Sequence, residues 1–120
     1  MAKKVKQIRD FLGRFRITSM DQWDQQFVNE EVEGYFEFKK DGQGEFHFGY
    51  VQGVIDYRSE MRDDKPFIEF SWEGNDEMDS AMGRGWTVID GDEIEGMLFF
   101  HQGDEMGFKA IRKKPRRNGK

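Results

Sequence analysis

At 120 residues, 36% hydrophobic and 36% charged, with no cysteine, the chain has room for one domain with a real core, and disulfides and thiolate metal sites are excluded. No apolar run approaches the ~20 residues of a membrane span and no signal-peptide pattern opens the chain, so a soluble cytoplasmic protein with no membrane association is expected. The net charge of −5 hides an asymmetry: 13 of the 19 Lys and Arg residues lie in residues 1–16 and 109–120, and residues 17–108 hold six bases against 23 carboxylates. An acidic body with basic ends reads first as a soluble surface with two solvated tails; the sharper reading is a negative field that meets a basic protein partner, with nucleic acid reachable only through the tails.

The basic segment 1–12 could form a short helix over 3–12, since Val5, Ile8 and Leu12 recur at helical spacing. Gly13 opens a half-buried strand with Phe15 and Ile17 on one face. Ser19 and Gln22 are spaced as a capping box, and Trp23 and Phe27 share a face four residues apart, which predicts a short helix over 20–29 that covers the open end of a sheet or barrel.

From Glu33 onward the chain reads as strands joined by tight turns. Phe36 and Phe38 share a face before the Asp41-Gly42 turn, and Phe46, Phe48 and Tyr50 share one after it. The apolar parity then changes to Val51, Ile55 and Tyr57, which predicts a bulge or corner between Gly49 and Gly53. Arg62 to Lys65 is a polar loop, and Ile68, Phe70 and Trp72 alternate inward after it. The run FSWEGNDEMDSAMGRGW over 70–86 predicts an acidic loop interrupting two strands, with Trp86 and Val88 resuming the inner face. A hairpin around Asp90-Gly91 follows, then Ile94, Leu98 and Phe100 facing inward, then Phe108 and Ala110 in a last strand. Eight strands result, near 13–18, 34–40, 44–50, 52–60, 66–72, 84–89, 93–101 and 106–112. An all-β domain over 13–112 is expected, a single antiparallel meander closed into a small barrel with a short capping helix, followed by a disordered basic tail over 113–120.

The Gly13-Arg14-Phe15 start, the short helix and a last strand ending in Arg112 are similar in layout to the calycin barrels, the lipocalin and avidin-like families, with Phe15 where those usually carry Trp. The runs WDQQF, GEFHFGYVQG, FSWEGNDEMD and GRGW also resemble a group of small uncharacterised bacterial proteins, a likeness that implies no mechanism. The calycin layout implies a ligand cavity. Ten large aromatics on the expected inner face argue instead for a filled barrel, with a small pocket near one mouth as the alternative.

Asn75, Asp76, Glu77 and Asp79 could offer oxygen ligands, but their spacing is not that of an EF-hand, so neither a metal nor a cofactor is expected. Glu73 and Asp76 could act as a general acid and base, yet nothing around them would shift a carboxyl, and no Ser/His/Asp set or phosphate-cradling glycine loop exists, so no catalytic residue is assigned. His47 and His101 fall on outward positions. Arg84 is expected to pair with Asp76 or Asp79 and hold the acidic loop rigid. The candidate site is the mouth and loop built from Trp23, Trp72, Asn75, Asp76, Asp79, Arg84 and Trp86, in a non-catalytic module that recognises a protein partner. A small-ligand binder or enzyme using the same mouth is the alternative.

Overall fold

The computed structural model describes residues 8–113; the expectations for residues 1–7 and 114–120, including part of the N-terminal helix and most of the basic tail, lie outside them. Eight strands close into one antiparallel barrel in which every strand pairs with its neighbours in sequence and β1 pairs with β8. They are β1 (Gly13–Met20), β2 (Tyr35–Phe38), β3 (Gln43–Phe48), β4 (Val51–Arg62), β5 (Lys65–Asp76), β6 (Asp79–Asp90), β7 (Glu93–Phe100) and β8 (Glu105–Arg112). Closure removes the edges that a meander of this length would leave open.

The alternation of apolar and polar side chains sets the inside and outside. Among the described residues, twenty hydrophobic side chains form one buried cluster, with Phe15, Phe36, Phe38, Phe46, Phe48 and Phe108 among them. Phe36 stacks on Phe108 at 4.3 Å between ring centroids and meets Phe46 at 5.3 Å, so these rings fill the barrel. Phe11, in a 3-10 turn over Ile8–Phe11, is fully buried and packs edge-on against Phe38, closing the end at which the chain enters. A helix spanning 3–12 is therefore not seen where the chain is described. The Arg112 guanidinium donates to the carbonyls of Leu12 and Asp10, lies over the Phe15 ring and binds Asp92 at 3.0 Å, which ties that turn to the last strand.

Three local expectations are corrected. The helix is a single turn, α1 (Gln25–Val28), and its cap is Asp24, whose carboxylate accepts from the Phe27 N–H at 2.9 Å; Ser19 belongs to β1. Gly49 and Tyr50 form a two-residue hairpin turn with Phe48 and Val51 paired, so the parity change there is a chain reversal, not a bulge. The bulge is in β1, where the register to β8 shifts between Ile17 and Ser19.

The third correction concerns 70–86. β5 and β6 run on as a long hairpin to Asp76 and Asp79, which face each other, with only Glu77 and Met78 in the turn. The acidic stretch is thus strand, because backbone pairing does not depend on side-chain polarity at exposed positions. Within β6 the buried positions are Gly85, Thr87 and Ile89, so Trp86 and Val88 face outward. Glycines stand inside because the facing rings occupy that space: a Cβ on Gly85 would lie 2.4 Å from the Phe70 ring. The apolar pattern of GRGW is therefore inverted.

On the outside of β1–β3, the Tyr35 hydroxyl donates to Glu45 at 2.6 Å, beneath the Arg14 guanidinium, which binds Glu37 at 2.8 Å. Burial, then the Glu45 hydrogen bond, pushes the Tyr35 phenol up to about 12, and the same bond holds the Glu45 carboxyl below its usual value. Folded Tyr35 holds its proton more tightly than unfolded Tyr35, so its contribution is present below about pH 10 and lost as pH rises towards 12; that of Glu45 is lost as pH falls through its lowered folded pKa. Tyr35→Phe is expected to cost about 1 kcal/mol at neutral pH, for one half-exposed hydrogen bond to a carboxylate, and to flatten the alkaline fall. Urea unfolding at neutral and alkaline pH checks both; an unchanged midpoint and an unchanged alkaline limb contradict it.

Candidate functional site

Strand direction sorts the turns into two ends. One end, the mouth, carries α1 and the turns β3–β4, β5–β6 and β7–β8; the other carries the 3-10 turn, the remaining turns and the end of β8. α1 sits over the mouth because its Phe27 ring packs on Gly49, where a Cβ would lie 2.3 Å from the ring, and because the Val28 carbonyl accepts from the Gly49 N–H at 2.9 Å. Trp23 bridges to Met20 and packs, tilted, against both Phe27 and Phe48 with centroids 5.2 Å away. The Glu77 N–H donates to the Tyr50 carbonyl at 2.9 Å, and the Asn75 side-chain amide donates to the Glu77 carbonyl at 3.0 Å, so the β5–β6 tip is fixed to the neighbouring turn.

Between this tip, the β7–β8 turn and Trp23 lies a cleft of about 450 Å³. Trp23, Ala81 and Phe100 are its apolar walls, and Asp76, Asp79 and Asp104 its acidic ones. Residues 20–32, 47–54, 73–83 and 99–106, which together make the mouth end, hold ten carboxylates and no Lys or Arg. Met78, at the tip, is 96% exposed. The end therefore combines a continuous negative field with exposed apolar atoms. Asp76 and Asp79 sit directly opposite one another across the last rung of the hairpin, an arrangement of like charges that lowers hairpin stability.

The structure brings together Trp23, Asp76 and Asp79, with Asn75 bracing the same tip. It separates the other three predicted residues from them. Trp72 is 3% exposed, packs edge-on against Phe46 and Phe100, and donates its indole N–H to the Phe99 carbonyl at 3.2 Å; it is part of the core below the mouth. Arg84 and Trp86 lie on the outer face of β6. Arg84 is opposite Ser71, five residues from Asp79 along an extended strand, a separation of roughly 16 Å, and makes no ion pair with Asp76 or Asp79. Its guanidinium instead lies 6.0 Å from the centre of the Phe99 ring.

The sequence reading missed Phe100, His101 and Asp104 as mouth residues. Phe100 was expected on the inner face and has that parity, but it is the last residue of β7, so its half-buried ring walls the cleft instead of filling the centre of the barrel. His47 is on the outside as expected, and its ring Nε2 meets Glu31 at 3.0 Å; His101 is exposed at the cleft. Among the described residues no three His, Cys, Asp or Glu side chains converge as a metal site would require, and no helix is long and apolar enough to cross a membrane. No protein-family model, curated protein or solved structure matches the chain.

Proposed function

We propose that the protein is a non-catalytic binding module whose acidic mouth recognises a basic segment of a protein partner. The observation that carries this reading is the cleft beside Trp23, with an apolar wall and a rim of Asp76, Asp79 and Asp104, on an end that has no Lys or Arg among the described residues. Such a field speeds the encounter with a cationic segment and rejects anionic ones, while Trp23, Phe100 and the exposed Met78 supply apolar contacts. The facing Asp76 and Asp79 support a binding role, because a hairpin selected for stability alone would not keep like charges opposite each other. Contact between Phe15 and Arg112, the residues that carry the likeness to calycin barrels, favours that kinship, and a cysteine-free chain favours a cytoplasmic setting.

A synthetic peptide of alternating Lys and Leu residues tests the mouth. Binding is expected to weaken with added salt, and Asp76→Asn with Asp79→Asn to weaken it by about tenfold. The same double variant is expected to be at least as stable as the parent, since it removes a repulsion, whereas Asp63→Asn at the opposite end leaves binding unchanged. Equal binding by all three chains would remove the mouth as the site.

A further inference from the structure

A second surface lies on the outside of the barrel, away from the mouth cleft. The register aligns Arg58, Glu69, Trp86 and Met97 in one row across β4–β7, and Asp56, Ser71, Arg84 and Phe99 in the next. These rows line a groove of about 680 Å³, a size that suits a small ligand. Phe67 and Trp86 stack on its wall, nearly parallel, with centroids 6.0 Å apart, and the Arg62 guanidinium covers one face of Phe67 at 3.8 Å. Aromatic rings on the exterior of a filled barrel do nothing for the core.

The arginines are the second observation. Arg14, Arg16, Arg62 and Arg112 each hold a carboxylate. Arg58 and Arg84 have no ion pair among the described residues, in a body where carboxylates outnumber bases 23 to six. Both reach the same groove from strands on either side of β5, with the Ser71 hydroxyl on the strand between them. Two guanidinium groups left unpaired in so acidic a chain, beside the half-buried ring of Trp86, match an anion that carries a planar ring.

We infer that this groove binds a nucleoside monophosphate, the phosphate held by Arg58, Arg84 and the Ser71 hydroxyl and the base stacked on Trp86. Guanidinium forks suit phosphate oxygens, and base stacking on an aromatic side chain tolerates any base. One phosphate is the fitting charge. Glu60 already holds Arg62, and Asp56 and Glu69 share the groove, so only Arg58 and Arg84 are left to meet an anion, and a polynucleotide would run its further phosphates past the acidic body. The site is independent of the mouth reading, and either can fail alone.

The test is calorimetric titration of the full chain with the four ribonucleoside 5′-monophosphates, with adenosine, inorganic phosphate and a ten-residue single-stranded oligonucleotide as comparisons. Saturable binding of the monophosphates is expected, with adenosine and inorganic phosphate at least about tenfold weaker. Arg58→Gln with Arg84→Gln should weaken it by about tenfold without changing the melting temperature, since both side chains are exposed, and Trp86→Leu should weaken it as much with only a small fall in melting temperature, since it gives up the stack on Phe67. In the parent chain the Trp86 indole resonance should move on titration while that of buried Trp72 stays, which needs no variant to fold. Absence of saturable binding at millimolar monophosphate, or an unmoved Trp86 resonance, overturns the proposal. Tighter binding of the oligonucleotide by more than about tenfold overturns the assignment to a single nucleotide.

Discussion

Phe36→Ala is expected to lower the unfolding free energy by about 3–5 kcal/mol, a third or more of what a domain of this size commonly has. Phe36 is completely buried, stacks on Phe108 at 4.3 Å and touches Phe38, Phe46 and Phe70, so it joins β2 to rings from β3, β5 and β8. Its removal leaves a void in the middle of the barrel that rings on rigid strands cannot collapse to fill. Phe36→Leu keeps most of the volume and is expected to cost about 1–2 kcal/mol. Urea unfolding of both variants measures the difference. A loss below about 1 kcal/mol for the alanine variant would mean that the aromatic cluster is not the packed unit on which the fold depends.

Gly83→Ala is expected to be nearly as damaging, although it adds one methyl group. A Cβ there would lie 1.7 Å from the Phe99 carbonyl oxygen and 2.9 Å from the Trp72 indole nitrogen. The first neighbour is backbone and cannot turn aside, and the second donates its hydrogen bond to that same carbonyl. Accommodation requires β6 to part from β7 or Trp72 to leave its place, at a cost on the order of 3 kcal/mol. Gly91→Ala is the control: its added methyl meets nothing within 4 Å, and only its positive φ of 66° opposes the change, at about 1 kcal/mol. If the two glycines respond alike, close approach at Gly83 does not limit the packing of β6 on β7.

Gly83 also shows why part of the fold was hidden in the sequence. The eight strands were legible because Phe36, Phe38, Phe46 and Phe48 alternate with polar residues, and because Asp41-Gly42 and Asp90-Gly91 mark reversals. That signal depends on large residues pointing inward. In β6 two of the inward positions are Gly83 and Gly85, emptied to admit Trp72 and Phe70, so the large residues Arg84 and Trp86 are outside and hydropathy points the wrong way. Parity then carried Arg84 to the wrong place, since an expected loop could have folded it back on Asp76, whereas an extended strand holds it far away. Phe11 was missed because a short 3-10 turn has no periodicity to recognise. At the mouth, Trp23, Asp76 and Asp79 were legible from composition alone, but the cleft that joins them depends on how far β5 and β6 extend beyond their neighbours, and only pairing sets that length.

The recognition of a basic segment at the acidic mouth is tested most directly by mapping where such a segment touches the protein. Titrating the alternating Lys and Leu peptide into isotopically labelled protein and following the backbone and indole amide resonances gives that map residue by residue. The shifts are expected to gather at Trp23, Asp76, Met78, Asp79, Phe100 and Asp104 and to fade with added salt, leaving the turns at Asp63 and Gly91 unmoved. Shifts centred on the opposite end, or none at saturating peptide, would contradict the account.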